Sequence, residues 1–437
     1  MSLWLNKVKV SAPFRYLLLA GAIHVALTIA IFLTGSLQLL PGTFDQHGIG
    51  LTFAIDGTTY RPLISDLVSV WQMNGTEAWL GARAPLHAHL YSVSFAVFGR
   101  LVGHNVLAAE PLNLFYYLSI LSCIYVLGRE IFSPRAGLLA ATIVAVWPSF
   151  LLHSTQLLRD PLSIACLLGL MVVLTLLLTR EPDWTRTIAL GAVGAVLLTV
   201  FWIARGNMWN LVLVAIAITF VLLVIRMARQ KKVMIRNALA MLAIVVVALL
   251  VPARFESSTL PGARPPASPF AIPSASQPAP AEGIWARAIQ QIANRRAGFH
   301  AYVAQESNIK GDVELNGVRD ILEFLPSAAV IGFLSPFPRM WFESGSFGLA
   351  TRVLSGAETL LMYLLYVAVG FCVWQERRNL RTWLLFLVAT IGMVALGLVV
   401  VNAAALYRIR YVFWMLLIVL AAQGIRRLIE GRLLGVR

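Results

Sequence analysis

The sequence predicts an all-α polytopic membrane protein of about ten transmembrane helices, and three observations carry that prediction. Hydrophobic residues make up 59% of the 437-residue chain and charged residues only 13%, about half the roughly 25% of an ordinary soluble domain. Mean hydropathy is +0.78, a balance that excludes disordered, collagen-like and disulfide-scaffold classes. The apolar residues also gather into uncharged runs near the ~20 residues a helix needs to cross hydrocarbon. Backbone facing lipid must satisfy its own hydrogen bonds, and no alternating pattern marks a barrel, so helices are the remaining solution.

The runs fall at 16–44, 111–128, 136–158, 161–179, 187–204, 206–225, 237–253, 359–375, 382–407 and 411–425. Nine reach spanning length, and the last does so if its polar ends snorkel. The first run exceeds the roughly 7–15 residues of a signal-peptide core and no A-x-A site closes it, so it reads as a retained anchor.

The net charge of +15, from 35 basic against 20 acidic residues, would suggest nucleic acid in a soluble chain. Here the placement decides. With the N-terminus inside, Lys7, Lys9, Arg15, Arg129, Arg135, Arg180, Arg186 and the cluster Arg226–Arg236 all fall on the cytoplasmic side. Arg377, Arg378, Arg381 and the C-terminal arginines join them, leaving only Arg159, Arg205, Arg408 and Arg410 on the opposite short loops. That asymmetry places both termini in the cytoplasm. Arginine outnumbers lysine 30 to 5 amid abundant alanine, which fits GC-rich bacterial coding and hence a bacterial inner membrane. Cys123, Cys166 and Cys372 lie in apolar runs and read as packing residues without a disulfide.

Two outer segments are longer than connections need. The first, 41–110, carries a semi-apolar stretch from Leu86 to Leu107 that Arg100, Gly103 and His104 interrupt, so it reads as interfacial helices. The second, 252–350, opens with eight prolines between Pro252 and Pro280, an extended and coreless composition. Beyond it, Trp285 to Phe324 reads as amphipathic helix and Leu325 to Pro338 as a proline-bounded interfacial hairpin. The organisation is therefore an N-terminal membrane module (1–251), the outer segment (252–350) and C-terminal membrane helices (351–437).

Chemistry is expected at the outer surface. Ionisable groups buried at mid-membrane mark transport pathways, and within the spans only His24 and Glu358 qualify. Asp56, in Asp56-Gly-Thr-Thr-Tyr60-Arg-Pro, stands one helical turn before a tyrosine. That spacing suits a general base on a hydroxyl nucleophile, or an N-cap, a role for which Asp is a preferred residue type. His153, Arg159 and Asp160 share a short outer loop. Asp160 followed by Pro161 suits a helix start, and Arg159 with Asp160 suits a local ion pair. Arg205, Arg408 and Arg410 have no adjacent acid; they either snorkel to head groups or clamp a phosphate, which the planar guanidinium fits. Arg295, Arg296 and His300 read as a solvated face or as a late-segment site. No metal, nucleotide-binding or nucleophile-elbow motif is present.

In their order these pieces resemble the C-type (GT-C) superfamily of integral-membrane glycosyltransferases, closest to the branch of the lipid A aminoarabinose transferase and the protein O-mannosyltransferases. The motifs are Asp56-Gly-Thr-Thr-Tyr60, Arg83-Ala-Pro-Leu-His87, Phe98-Gly-Arg, Tyr125-Val-Leu-Gly-Arg129, Trp147-Pro-Ser and Leu158-Arg159-Asp160-Pro161. They cover 14–210, with a weaker match at Tyr407-Arg408-Ile-Arg410. The resemblance implies transfer of a sugar from a polyprenyl-phosphate donor to a glycan, lipid or protein acceptor on the outer face, usually with inversion. It implies Asp56 as catalytic base and Asp160 as the second-loop acid. It also implies Arg83 as a contact to the donor phosphate; Arg205 and Arg408 are further candidates to stabilise that phosphate, and Tyr60, His87, His153, Arg159, Tyr407 and Arg410 are further candidate substrate contacts. Gly57 replaces the second acid of a common Asp-Glu pair. A charged lipid phosphate can leave without a metal, so no cofactor is expected and a divalent cation is not required. The alternatives are a polysaccharide ligase or polymerase using a polyprenyl-diphosphate donor, centred on the late outer segment, and a lipid-linked sugar flippase.

Overall fold

The computed structural model describes residues 12–40, 43, 50–51, 54, 56–255, 283–300, 307–343 and 348–433, and every regular element among them is helical. The proline-rich stretch 256–282 lies outside the described residues.

The chain divides into two compact units. The first comprises residues 1–176, 188–206 and 246–263; the second comprises 177–187, 207–245 and 264–437. Helix α1 (Ala12–Ser36) packs in the first unit on α4 (Val106–Ile131), and between them in sequence lie α2 (Asp56–Gly81) and α3 (Leu86–Val102). The pair α2 and α3 forms a hairpin in which the Trp79 ring nitrogen donates to Ser92 Oγ at 2.8 Å. Helix α2 breaks at Gly75, whose φ of 82° lies in the left-handed region that glycine alone enters without strain. Helix α3, 17 residues long, buries His87, His89, Ser92 and Ser94.

Expected span three is a broken pair, α5 (Pro134–Ala145) and α6 (Pro148–Ser154), bent by 70°. The cause is local: Pro148 opens the second helix and forces Trp147 before it into an extended conformation. Ser133 caps α5, accepting from Ala136 N. Helices α7 (Asp160–Thr179), α8 (Trp184–Arg205), α9 (Trp209–Gln230) and α10 (Ile235–Arg254) follow. The apolar stretch Trp184–Gln230 is 47 residues long, about 70 Å of helix at 1.5 Å per residue against ~30 Å of hydrocarbon. It therefore counts as two crossings, separated at the 3₁₀ turn Gly206–Met208. With that division and the bent pair, each of the ten expected runs has its helix.

The second unit contains α11 (Ile284–His300), α12 (Val318–Leu334), α13 (Leu349–Gln375), α14 (Leu380–Val399), α15 (Ala403–Ile409) and α16 (Tyr411–Leu433). Helix α14 is its hub, touching α9, α11, α12 and α16. Two expectations fail here. The hairpin at Leu325–Pro338 does not form; α12 runs unbroken through Pro326. Pro326 is exposed, while Phe324, Ala328, Ile331 and Gly332 on the packed face are buried, so the residue that loses a backbone bond sits where little packing depends on it. The helix expected from Trp285 to Phe324 is not continuous either: described residues 307–317 lie outside any α-helix. Arg296 of α11 ties that segment to α14, its Nε donating to Val313 O at 2.9 Å and its Nη1 to Leu398 O at 3.0 Å.

The approach of α12 to α14 is set by small residues. A side chain at Gly397 would strike the backbone of Ala328 and Gly332, and one at Gly332 would strike Met393 O, the close backbone approach that membrane helices use to associate. Replacing Gly397 by Leu should therefore cost on the order of 1–3 kcal/mol, read as a lower melting temperature of the detergent-purified protein. Gly370→Leu, with open space beside it, should stay within about 0.5 kcal/mol of the parent.

Candidate functional site

The motifs at Asp56–Tyr60 and His87 come together at helix ends in the first unit. Asp56 opens α2, where a carboxylate is favoured by the exposed backbone N–H groups and the helix dipole. Tyr60, one turn on, meets His87 at the start of α3 edge to face, with ring centroids 4.4 Å apart. Gly57 lies against Leu157, whose backbone oxygen is 3.7 Å from the position a Cβ would take. The start of α2 thus sits beside the loop that carries Arg159 and Asp160.

That loop is pinned from several sides. Ser154 at the end of α6 bonds to His24 Nε2 at 3.0 Å, and His24 Nδ1 meets Glu110 Oε1 at 2.8 Å. Thr28 donates to Glu110 Oε2 at 2.7 Å. Leu51 N donates to Gln156 Oε1 at 3.1 Å, and Tyr91 Oη donates to Leu158 O at 3.3 Å and to Asn113 Oδ1 at 2.6 Å. Glu110 is a correction to the sequence reading, which left it in the loop: α4 begins at Val106, so Glu110 is buried in its first turns and pairs with His24. Isolated, a histidine or carboxylate in such surroundings would be expensive; together they satisfy one another.

Arg205 also finds an acid, 45 residues earlier in the chain: its guanidinium forms an ion pair with Asp160, both side chains only 4% exposed. The sequence offered Arg159 as Asp160's neighbour and no acid for Arg205, because a pair closed between the start of α7 and the end of α8 leaves no trace in local spacing. Arg159 instead stands half-buried near His87, on which its charge acts. His87 is buried, with neither ring nitrogen hydrogen-bonded to a described residue. Burial, helped by the positive charge of Arg159, lowers its pKa from 6.5 to about 3, with Asp160 opposing. His153 turns inward to Ser149, its Nδ1 lying 2.6 Å from the carbonyl oxygen. Arg83 is exposed in the turn between α2 and α3.

Tyr407, Arg408 and Arg410 belong to the second unit. The Arg410 guanidinium is fully buried, its carbon 4.0 Å from the Trp414 ring centroid and 5.2 Å from that of Tyr407. Its Nη1 donates to Gly332 O at 3.1 Å, while Nε and Nη2 bond to no described residue. Tyr407 donates to Glu358, the buried carboxylate of α13. Arg295 donates to Asn207 O at 2.6 Å, and Arg296 is a structural pin. Among the described residues no group of three or more His, Cys, Asp or Glu side chains is placed to hold a metal ion.

This arrangement defines a polytopic membrane protein with an acidic and arginine-rich cluster at the ends of its first-unit helices. Residues 115–264 match the family model described as the N-terminal part of the oligosaccharyl transferase STT3. The fold is similar to that of the archaeal oligosaccharyltransferase AglB from Archaeoglobus fulgidus, solved with an inhibitory peptide and a dolichol-phosphate, with a TM-score of 0.51 at 15% identity. The alignment covers 97% of this chain and 52% of that one, so the chain spans about half the length of the protein it matches. No curated protein matches it by sequence. The resemblance to the GT-C superfamily is thereby borne out, through oligosaccharyltransferases.

Removing one partner of a buried ion pair strands the other, at about 3–5 kcal/mol. Asp160→Asn or Arg205→Gln should each lower the melting temperature strongly, and the double variant should recover part of the loss; additive losses would count against the pair. His87 predicts the pH dependence. Its folded pKa lies below its ordinary value, so its contribution is fully present above pH 6.5 and is lost as pH falls toward 3. In acid melts His87→Gln should flatten that loss.

Proposed function

We propose that this protein is a membrane glycosyltransferase that moves a sugar from a polyprenyl-phosphate donor to an acceptor on the outer face of a bacterial inner membrane, with inversion. The observation that carries the reading is the gathering of Asp56, Tyr60, His87, Arg159, Asp160 and Arg205 at neighbouring helix ends. The family match over 115–264 and the likeness to AglB, which was solved with a lipid phosphate and a peptide, support it.

In this reading Asp56 takes the proton of the acceptor as the acceptor atom bonds to the anomeric carbon. The bond from that carbon to the phosphate oxygen breaks, and its electron pair leaves on the lipid phosphate. Arg159, and Arg83 from its exposed turn, offer charge to that leaving group, as preorganised donors aimed at developing charge do in other enzymes. Asp160 fixes Arg205, so that the pair shapes the site and holds the loop. Neutral His87 lets Tyr60 pack against an apolar ring face and adds no positive charge beside Arg159. Tyr407, Arg408 and Arg410 are assigned to substrate contact from their own unit, where Nε and Nη2 of Arg410 hydrogen-bond to no described residue.

A transfer assay in proteoliposomes with a lipid-phosphate sugar donor tests the scheme. Asp56→Asn should lower the rate by roughly 10²–10⁴-fold, the usual weight of a general base, with donor binding retained. If His300→Ala loses product while Asp56→Asn does not, the ligase or polymerase reading prevails; donor translocation without transfer would favour the flippase. Arg83→Ala should raise the KM for donor more than Arg83→Lys, since charge survives in the second. A Gly81→Cys variant should be labelled by an impermeant thiol reagent from the periplasmic side only.

A further inference from the structure

We propose that the cleft where α13 passes into α14 binds the headgroup of an anionic phospholipid. This cleft, about 680 Å³ in volume, is lined by Trp374, Gln375, Glu376, Arg377, Arg378 and Asn379. The whole of α14 separates it from Tyr407, Arg408 and Arg410, and it is independent of the assignment of the transfer site.

Its charge is one-sided. Glu376 is already matched, accepting from Gln423 Nε2 at 3.2 Å and lying 3.5 Å from Arg427 Nη2. Arg377 and Arg378 are exposed, and neither has a carboxylate partner among the described residues. The cleft therefore presents two guanidinium groups whose natural complement is a phosphate oxygen. Its geometry is fixed by the backbone: Trp383 Nε1 donates to Arg377 O at 2.8 Å, and the Asn379 side chain caps α14, accepting from Arg381 N at 3.1 Å.

Trp374 decides between a lipid and a soluble phosphate. It is 69% exposed, and the Arg377 guanidinium carbon lies 4.9 Å from its ring centroid. Both helices that meet at the cleft are long and apolar enough to cross a membrane. A tryptophan at the end of such a helix sits at headgroup depth, where its apolar body meets the glycerol region while the arginines meet the phosphate. A soluble anion would leave that ring surface without a partner. Basic pockets between membrane helices are recognised sites for acidic headgroups.

Native mass spectrometry of the full-length protein, titrated with phosphatidylglycerol or phosphatidylcholine, tests the site. Phosphatidylglycerol should be retained in preference to phosphatidylcholine. Charge removal in the double variant Arg377→Gln/Arg378→Gln should weaken retention about fivefold per arginine, roughly thirtyfold in all. The double variant Arg377→Lys/Arg378→Lys should keep most of it, and soluble glycerol phosphate should not compete. Equal retention of the two lipids, equal retention by the parent and the glutamine variant, or displacement by glycerol phosphate would overturn the proposal. If circular dichroism finds the glutamine variant unfolded, Trp374→Ala serves instead: weaker phosphatidylglycerol retention supports the site and unchanged retention refutes it.

Discussion

In a chain this poor in charge, a buried ionisable group has few possible partners, and the fold is constrained to bring them together. Asp160 and Arg205 meet across the start of α7 and the end of α8, both nearly inaccessible. Such a pair is weak evidence for net stability, since desolvating two ions offsets much of their attraction. Its stronger effect is on position: neither helix end can move alone without stranding a charge. The neighbouring bonds from His24, Gln156 and Tyr91 then hold the connecting loop.

The first unit reuses this device at a second level. His24 and Glu110, on the packed helices α1 and α4, close a network with Thr28 and Ser154. Ser154 ends α6, the second half of the bent pair, so the network ties that short helix to two membrane-length ones. The residues proposed for chemistry rest on helix termini held this way. Asp56 and Tyr60 share the first turns of α2, and His87 stands at the start of α3, anchored by Trp79 and Ser92.

The second unit depends on small residues instead. Gly332, Gly397 and Ala328 let α12 and α14 approach at backbone distance, and once they do, the Gly332 carbonyl becomes the acceptor for Arg410. Arg410 is buried among Trp414 and Tyr407, where aromatic faces offer a guanidinium partial compensation. Packing thus prepares a buried cation, two of whose nitrogens hydrogen-bond to no described residue.

Much of the architecture was legible in the sequence because hydrocarbon imposes a length and a polarity that composition reveals directly. The ten runs and the helix opening at Asp56 follow from local rules. The failures were of another kind. Pro326 signalled a hairpin, yet the face opposite it packs on α14 and the helix continues. Arg205 had no acid within reach along the chain, and Glu110 was read as a loop residue. Local composition is enough to say which segments are apolar enough to leave water and which polar residues stand at their ends. Which of those residues pair emerges from the folded chain alone, because a contact between distant helices depends on backbone approach and shared burial, and neither leaves a periodic mark in the chain.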